Sequence, residues 1–348
     1  MLHFIPSKLA KKIKQTERLR VLTNAVKTYL YIMQKAANRH IKLMKAFTLI
    51  CTTLMQQASA QMAEVKSGTL IRHADFSSQF VTPRHVDVWL PTGYDASQKY
   101  AVLYMHDGQM LFDASTTWNK QAWEVDEVLG RLLNEEKVRK TIVVGVWNGG
   151  KTRHSDYFPQ KPFESLPASI TQPLLDSGSR PGGAELFAIG LQSDHYLRFL
   201  VEELKPFIDK KYTTLPDAAN TFVMGSSMGG LISMYALCEY PQVFGGAACL
   251  STHWPGIFSM ENNPVPAAFL GYLEKNLPEA ATHKLYFDYG SATLDSLYKP
   301  TQVQADAIMK KKGWTPAHWI TLEFPGADHS EQSWNNRLDQ PLLFLLRQ

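Results

Sequence analysis

The segment of this chain best suited to chemistry is Gly225-Ser226-Ser227-Met228-Gly229-Gly230. It follows the β-prone run Thr221-Phe222-Val223-Met224 and leads into a helix-prone one, 231–239. A strand that turns sharply into a helix holds its central serine in a strained conformation and pushes the hydroxyl out of the backbone. The residues two before and two after must then lack side chains because the chain passes close to itself, a need that Gly225 and Gly229 meet. The helix start beneath offers unpaired N–H groups to a developing anion. A phosphate-cradling glycine loop is excluded, since no Gly-Lys-Ser/Thr follows. Ser227 is therefore read as a nucleophile.

A serine hydroxyl attacks only when a base removes its proton, and the base needs an acid to orient it. On a strand–turn–helix scaffold of this kind both partners follow the serine in the chain. Of the downstream histidines, His283 opens a strand candidate and His318 precedes one, which fits structural roles. His329 lies in Pro325-Gly326-Ala327-Asp328-His329-Ser330, a loop directly after the last strand candidate, where a base can reach over the sheet edge. For the acid, Asp295 in the loop 290–297 is preferred to Asp288, which lies inside a strand. An oxyanion intermediate also needs two N–H donors. Met228, next to the nucleophile, supplies one. Gln109, in His106-Asp107-Gly108-Gln109 after an early strand, is placed to supply the other, with Gly108 permitting the turn. His106 is read as bracing that loop.

Short β-rich runs at 85–90, 100–105, 141–146, 221–225, 245–250, 284–289 and 319–324 must carry these residues. Several are near-continuously apolar, as strands buried on both faces of a parallel sheet are. Amphipathic helices are expected between them at 122–138, 194–212, 302–312 and 338–346. This alternation predicts an α/β fold: one doubly wound, mostly parallel sheet with helices on both faces. The interval 150–190 is rich in Pro, Gly and Ser and is expected to be a functional loop or lid. Trp118, Trp123, Trp254 and Trp334 fall near strand-end loops, where they could line a pocket for a sugar or phenolic group or simply pack.

With these residues in view, the chain resembles the esterase D-like branch of the α/β-hydrolases. That branch includes enterochelin-type siderophore esterases, feruloyl and acetyl-xylan esterases, S-formylglutathione hydrolases and mycolyltransferases. The resemblance covers about 80–345. It rests on His106-Asp107-Gly108-Gln109, on Gly225-Ser226-Ser227-Met228-Gly229-Gly230, on Tyr289-Gly290 followed by Asp295, and on Gly326-Ala327-Asp328-His329 with Trp334 after it. It implies Ser227, Asp295 and His329 as a triad and the Gln109 and Met228 amides as an oxyanion hole. The stretch 153–159 is similar to the substrate-side loop of the siderophore esterases, though its spacing departs from theirs, and it suggests a role for Arg153 towards an anionic substrate. The expected activity is that of a serine carboxylic-ester hydrolase working through an acyl-enzyme on a small-molecule or carbohydrate-linked ester, of carbohydrate, phenolic or siderophore type. No metal or organic cofactor is implied. An acyltransferase with the same triad and a non-catalytic ligand-binding protein on this scaffold are the alternative readings.

Charge separates the chain into two parts. Residues 1–45 carry eleven Lys and Arg against Glu17, and 46–60 carry no charge. The remaining 25 basic and 31 acidic residues leave 61–348 with a net charge of −6. A mildly acidic body removes the electrostatic footing for nucleic-acid binding. Cys238 and Cys249 are too few for a disulfide scaffold and lack metal-ligand spacing; with Cys51 they complete the cysteines. Met44-Lys45, the ten-residue uncharged run 46–55 and Ala58-Ser59-Ala60 read as a secretory signal peptide over 44–60. The run is too short to span a bilayer, so no stable membrane anchor is expected. The expected layout is a basic extension over 1–43, read as upstream sequence before a start at Met44, then the signal peptide and a catalytic domain over 61–348 in the periplasm or outside the cell. Sequencing the mature N-terminus is expected to find Gln61; an intact Met1 would contradict the reading.

Overall fold

The computed structural model describes residues 62–179, 183, 185–187 and 189–347. The expected extension and signal peptide lie outside the described residues. Among the latter, apolar runs form the middle of a single eight-stranded sheet. Its strands are β1 (Thr69–Phe76), β2 (Arg84–Leu90), β3 (Ala101–His106), β4 (Thr141–Val146), β5 (Thr221–Ser226), β6 (Gly246–Leu250), β7 (Lys284–Gly290) and β8 (Trp319–Phe324), in the order β1-β2-β4-β3-β5-β6-β7-β8. Every residue of β3, β4, β5 and β6 is buried, because helices cover both faces. From β4 to β8 neighbouring strands run parallel, while β1 and β2 pair antiparallel at one end.

Alternating side chains divide the core in two. Val102, Tyr104, Val144 and Val223 pack on one face with Leu197, Leu231, Tyr235 and Phe269. Leu103, Met105, Val143 and Met224 pack on the other with Leu129, Leu132, Leu342 and Leu345. The helix Met228–Glu239 buries eleven of its twelve residues. A helix apolar on all sides belongs in the interior, and this one lies directly after β5.

The seven strand candidates and the doubly wound architecture correspond to observed elements. Three differences have local causes. Strand β1, with the sequence TLIRHADF, buries only Leu70 and forms the sheet edge, so it carries neither an apolar run nor a clean alternation. The helix Val265–Asn276 starts beside Pro264 and Pro266, which resemble a break but suit a first helical turn. The expected helix 194–212 is three pieces: Ser193–Arg198, a π-helical turn over Phe199–Leu204, and Lys205–Lys211. The widened turn ends at Leu204, two residues before Pro206, which cannot donate to the carbonyl one turn back.

The interval 150–190, expected as a loop or lid, contains the helices Arg153–Tyr157, Gln160–Glu164 and Ala168–Ser177. Tyr157, Phe158 and Phe163 are fully buried, and Arg84 pairs with Asp156 at 3.2 Å, both side chains buried. Its first part is thus a packed element of the domain. No helix among the described residues is long and apolar enough to cross a membrane.

Candidate active site

Parallel strands bring their C-terminal ends to one edge of the sheet, where ligands bind in open α/β folds. At the end of β5, Ser227 adopts φ 58° and ψ −119°, a region that costs a non-glycine residue on the order of 1–3 kcal/mol. The surroundings hold it there. Its N–H donates to Leu250 O at 2.9 Å, and its own carbonyl accepts from Gly230, Leu231 and His253. The two glycines of the turn are not equivalent. A Cβ on Gly225 would lie 2.8 Å from the Gly229 carbonyl carbon, whereas one on Gly229 would meet nothing closer than the His106 Cβ at 3.4 Å. The close approach is of the Gly229 backbone to Gly225, so only Gly225 must lack a side chain.

His329 follows β8 on a loop packed against the end of β7. A Cβ on Gly290 would lie 2.1 Å from Ala327 O, and Ala327 O accepts from the Ser291 and Ala292 amides at 3.0 Å each. The His329 N–H donates to Thr293 Oγ1 at 2.9 Å, and its ring stands edge-on to Trp334 with 5.0 Å between centroids. His329 Nδ1 is 2.6 Å from Asp295 Oδ1. Asp295 Oδ2 accepts from the Gly290 N–H at 2.6 Å and the Ser251 hydroxyl at 2.5 Å. Burial opposes ionisation of Asp295, but the bonds from His329, Ser251 and Gly290 outweigh it and hold the carboxyl below the ordinary range. Asp288, the alternative acid, binds Arg337 at 2.9 and 3.2 Å and accepts from Tyr286, so it is committed elsewhere.

Ser227 and His329 open onto the same cavity of about 440 Å³. Gln109 lines it too, while the Met228 side chain turns into the core and leaves its amide, the first of the helix, at the turn. In the 107–109 loop the left-handed residue is Asp107, with φ 58°. Gly108 serves a different need from the expected one: its Cβ would lie 2.6 Å from the Gly145 backbone. His106 donates or accepts at Nδ1 with Tyr196 Oη at 2.8 Å and is held neutral by burial, its pKa pushed down to about 3. It ties the end of β3 to the helix Ser193–Arg198.

Arg153 lines the cavity, but Nε and Nη2 form a two-point pair with Asp107 at 2.6 and 2.8 Å. Asn148 adds a third bond to that carboxylate at 2.6 Å. The wall therefore presents a compensated ion pair. Trp118, 83% exposed, stands at the mouth, and Trp123 and Trp334 lie tilted against each other at 5.5 Å within. Trp254 is instead a core residue whose Nε1 donates to Gln302. Cys238 and Cys249 are buried free thiols, both pushed up by burial. Among the described residues no group of His, Cys, Asp and Glu is arranged to hold a metal. Ser251 and Arg337 were not legible as site residues: the bonds that join them to Asp288 and to each other cross 37 to 86 positions of chain.

Two outcomes are expected. Gly225→Ala should cost about 3 kcal/mol, lowering Tm by roughly 6–12 °C, while Gly229→Ala should stay within about 0.5 kcal/mol of the parent; thermal melts compare them. Because the Asp295 carboxyl is lowered in the folded state, the stability it contributes is present above about pH 4 and lost as pH falls through its folded value. The Tm of Asp295→Asn should therefore fall less steeply than that of the parent between about pH 5 and pH 3.

The fold recurs among solved structures. A ferulic acid esterase from Anaeromyces mucronatus superposes with a TM-score of 0.56 at 19% identity, over 82% of this chain and 92% of that one. The enterobactin esterase FES from Shigella flexneri gives 0.58 at 17%, over 82% and 60%. Among curated proteins, the ferri-bacillibactin esterase BesA of Bacillus subtilis is 27% identical over 175 residues, 49% of this chain and 54% of that protein. The first two curated relatives are matched over 60% and 58% of their own length. The architecture is that of an α/β-hydrolase. The profile of the Esterase family, described as "Putative esterase", matches residues 77–172 and 182–345, and the chain belongs to that family.

Proposed function

We propose that this protein is a serine carboxylic-ester hydrolase with Ser227 as nucleophile, His329 as general base and acid, and Asp295 orienting His329. The observation that carries this is the convergence on one cavity of a serine in a strained turn and a histidine bound at Nδ1 by a buried carboxylate. With Nδ1–H held by Asp295, Nε2 is left to take the Ser227 proton as Oγ attacks the ester carbonyl. The Met228 and Gln109 amides would receive the oxyanion. His329 then protonates the leaving alcohol, and water attacks the acyl-enzyme by the same route in reverse.

The aromatic and amide lining, with Trp118, Trp123, Trp334, Asn119, Gln121 and Asn148, favours an ester bearing a flat phenolic or sugar ring. Membership in the Esterase family and likeness to ferulic acid and siderophore esterases support the same choice. Arg153, tied to Asp107, would act there as a neutral pair and Trp334 as a wall. The leader-like segment 44–60 favours a substrate in the periplasm or outside the cell.

The full chain is expected to hydrolyse at least one of a panel of acetyl, feruloyl, longer-chain acyl and siderophore-lactone esters. Ser227→Ala should lower kcat by at least about 10⁴-fold with Tm unchanged. Undiminished turnover would refute the assignment, and transfer to an added alcohol in place of water would convert it to an acyltransferase.

A further inference from the structure

Ser251, the residue after β6, is fully buried and holds a left-handed backbone with φ 43°. Its Oγ lies 2.5 Å from Asp295 Oδ2, 2.9 Å from Trp334 Nε1 and 2.9 Å from Arg337 Nη2. A hydroxyl has one proton to give and two lone pairs to receive with. Indole and guanidinium nitrogens can only donate. Both lone pairs of Ser251 are therefore taken by Trp334 and Arg337, and its single proton has one destination, Asp295 Oδ2.

The direction of this chain is set further back. Arg337 is held by Asp288 at 2.9 and 3.2 Å, and the Ser251 N–H also reaches Asp288 at 3.2 Å. Arg337 Nη2 itself is 3.9 Å from Asp295 Oδ2, beyond a hydrogen bond, so the hydroxyl is the link between the guanidinium and the carboxylate. The Ser251 and Gly290 donors on Oδ2 favour the ionised carboxylate, which accepts at Oδ1. The His329 imidazole must then carry its proton at Nδ1.

We propose that Ser251 is a positioning residue for ester hydrolysis: its hydroxyl, oriented by Arg337 and Trp334, keeps Asp295 an acceptor and so keeps His329 Nε2 free to take the Ser227 proton. This rests on the hydrolase reading given above. Loss of the hydroxyl removes a donor from the carboxylate and makes it more basic. A more basic Asp295 holds the His329 imidazolium more tightly, so the pH at which His329 becomes a competent base rises. The charged and titratable groups around the pair are Asp288 on β7, Arg337 near the C-terminus, Tyr298 beside the ring with His253 bonded to its hydroxyl, Asp328 next to it in the chain, and Glu331 and the Asp107–Arg153 pair on the cavity lining. In the variant Asp295 loses the bond from Ser251, and Trp334 Nε1 and Arg337 Nη2 lose the acceptor that Ser251 gave them, while the other groups keep their partners.

The test is the pH profile of Ser251→Ala in the full chain, on whichever ester the parent turns over, alongside fluorophosphonate labelling of Ser227. The expected result is a kcat about 10–100-fold lower, KM within about 3-fold, and an acid midpoint of kcat/KM moved upward by about half a pH unit or more. Ser251→Gly, which suits the left-handed backbone, is expected to behave likewise and serves if the alanine variant fails to fold. A parent that labels at Ser227 and a folded variant with unchanged kcat and midpoint overturn the inference alone. A parent that neither labels nor turns over esters overturns the hydrolase reading, and the inference with it.

Discussion

A serine held at φ 58° cannot relax without pulling β5 away from β6, because its amide is bonded to Leu250 O and its carbonyl serves three donors. That constraint organises the rest of the edge. It requires a bare Gly225 so that the Gly229 backbone can fold back over it, and it needs a following helix rigid enough to bear the load. The near-total burial of Met228–Glu239 supplies that rigidity, since backbone strain persists only where surrounding packing over-determines it.

Behind the strained turn lies an electrostatic arrangement that sheet topology makes possible. Asp288 lies buried within β7, Ser251 leaves β6 beside it, and Arg337 arrives from the C-terminal region. Two buried carboxylates share one guanidinium, which leaves a net negative charge near His329. An imidazolium formed during proton transfer would complete the balance. Burial has opposite results at the two acids. Asp288 is raised by burial despite Arg337, whereas Asp295, with its tighter set of donors, is lowered. At the cavity wall the same economy recurs, with Arg153 bound by Asp107 and not left open to solvent.

What was legible in the sequence follows from the range of each interaction. Apolar runs and the Gly-x-Ser-x-Gly punctuation are local, and they located β2 to β8 and the turn at Ser227. Strand β1 was invisible because an edge strand need not be apolar, and the helix Val265–Asn276 was masked by prolines that its first turn accepts. Residue type also misled over detail: Gly108 and Gly229 looked like conformational necessities, yet the positive φ belongs to Asp107 and the tight contact to Gly225. The choice between Asp288 and Asp295 rests on Arg337, 49 residues from the first of them, and no local pattern encodes such a pairing. Trp254 and Trp334 look alike in sequence, yet Trp254 is buried with its Nε1 bonded to Gln302, while Trp334 bonds Ser251 and lines the cavity.

Strand β8 pairs on one side only, with β7, and most of its residues are partly exposed. Its far end leads to the loop that carries His329. Edge strands contribute the fewest ladder bonds, so this margin, like the one at β1, opens more readily than the inner strands. The proposed base is thus mounted just beyond an edge plank of the scaffold, while Ser227 sits on an inner one. Partial opening at that margin would draw the proposed base away from Ser227 before the interior lets go.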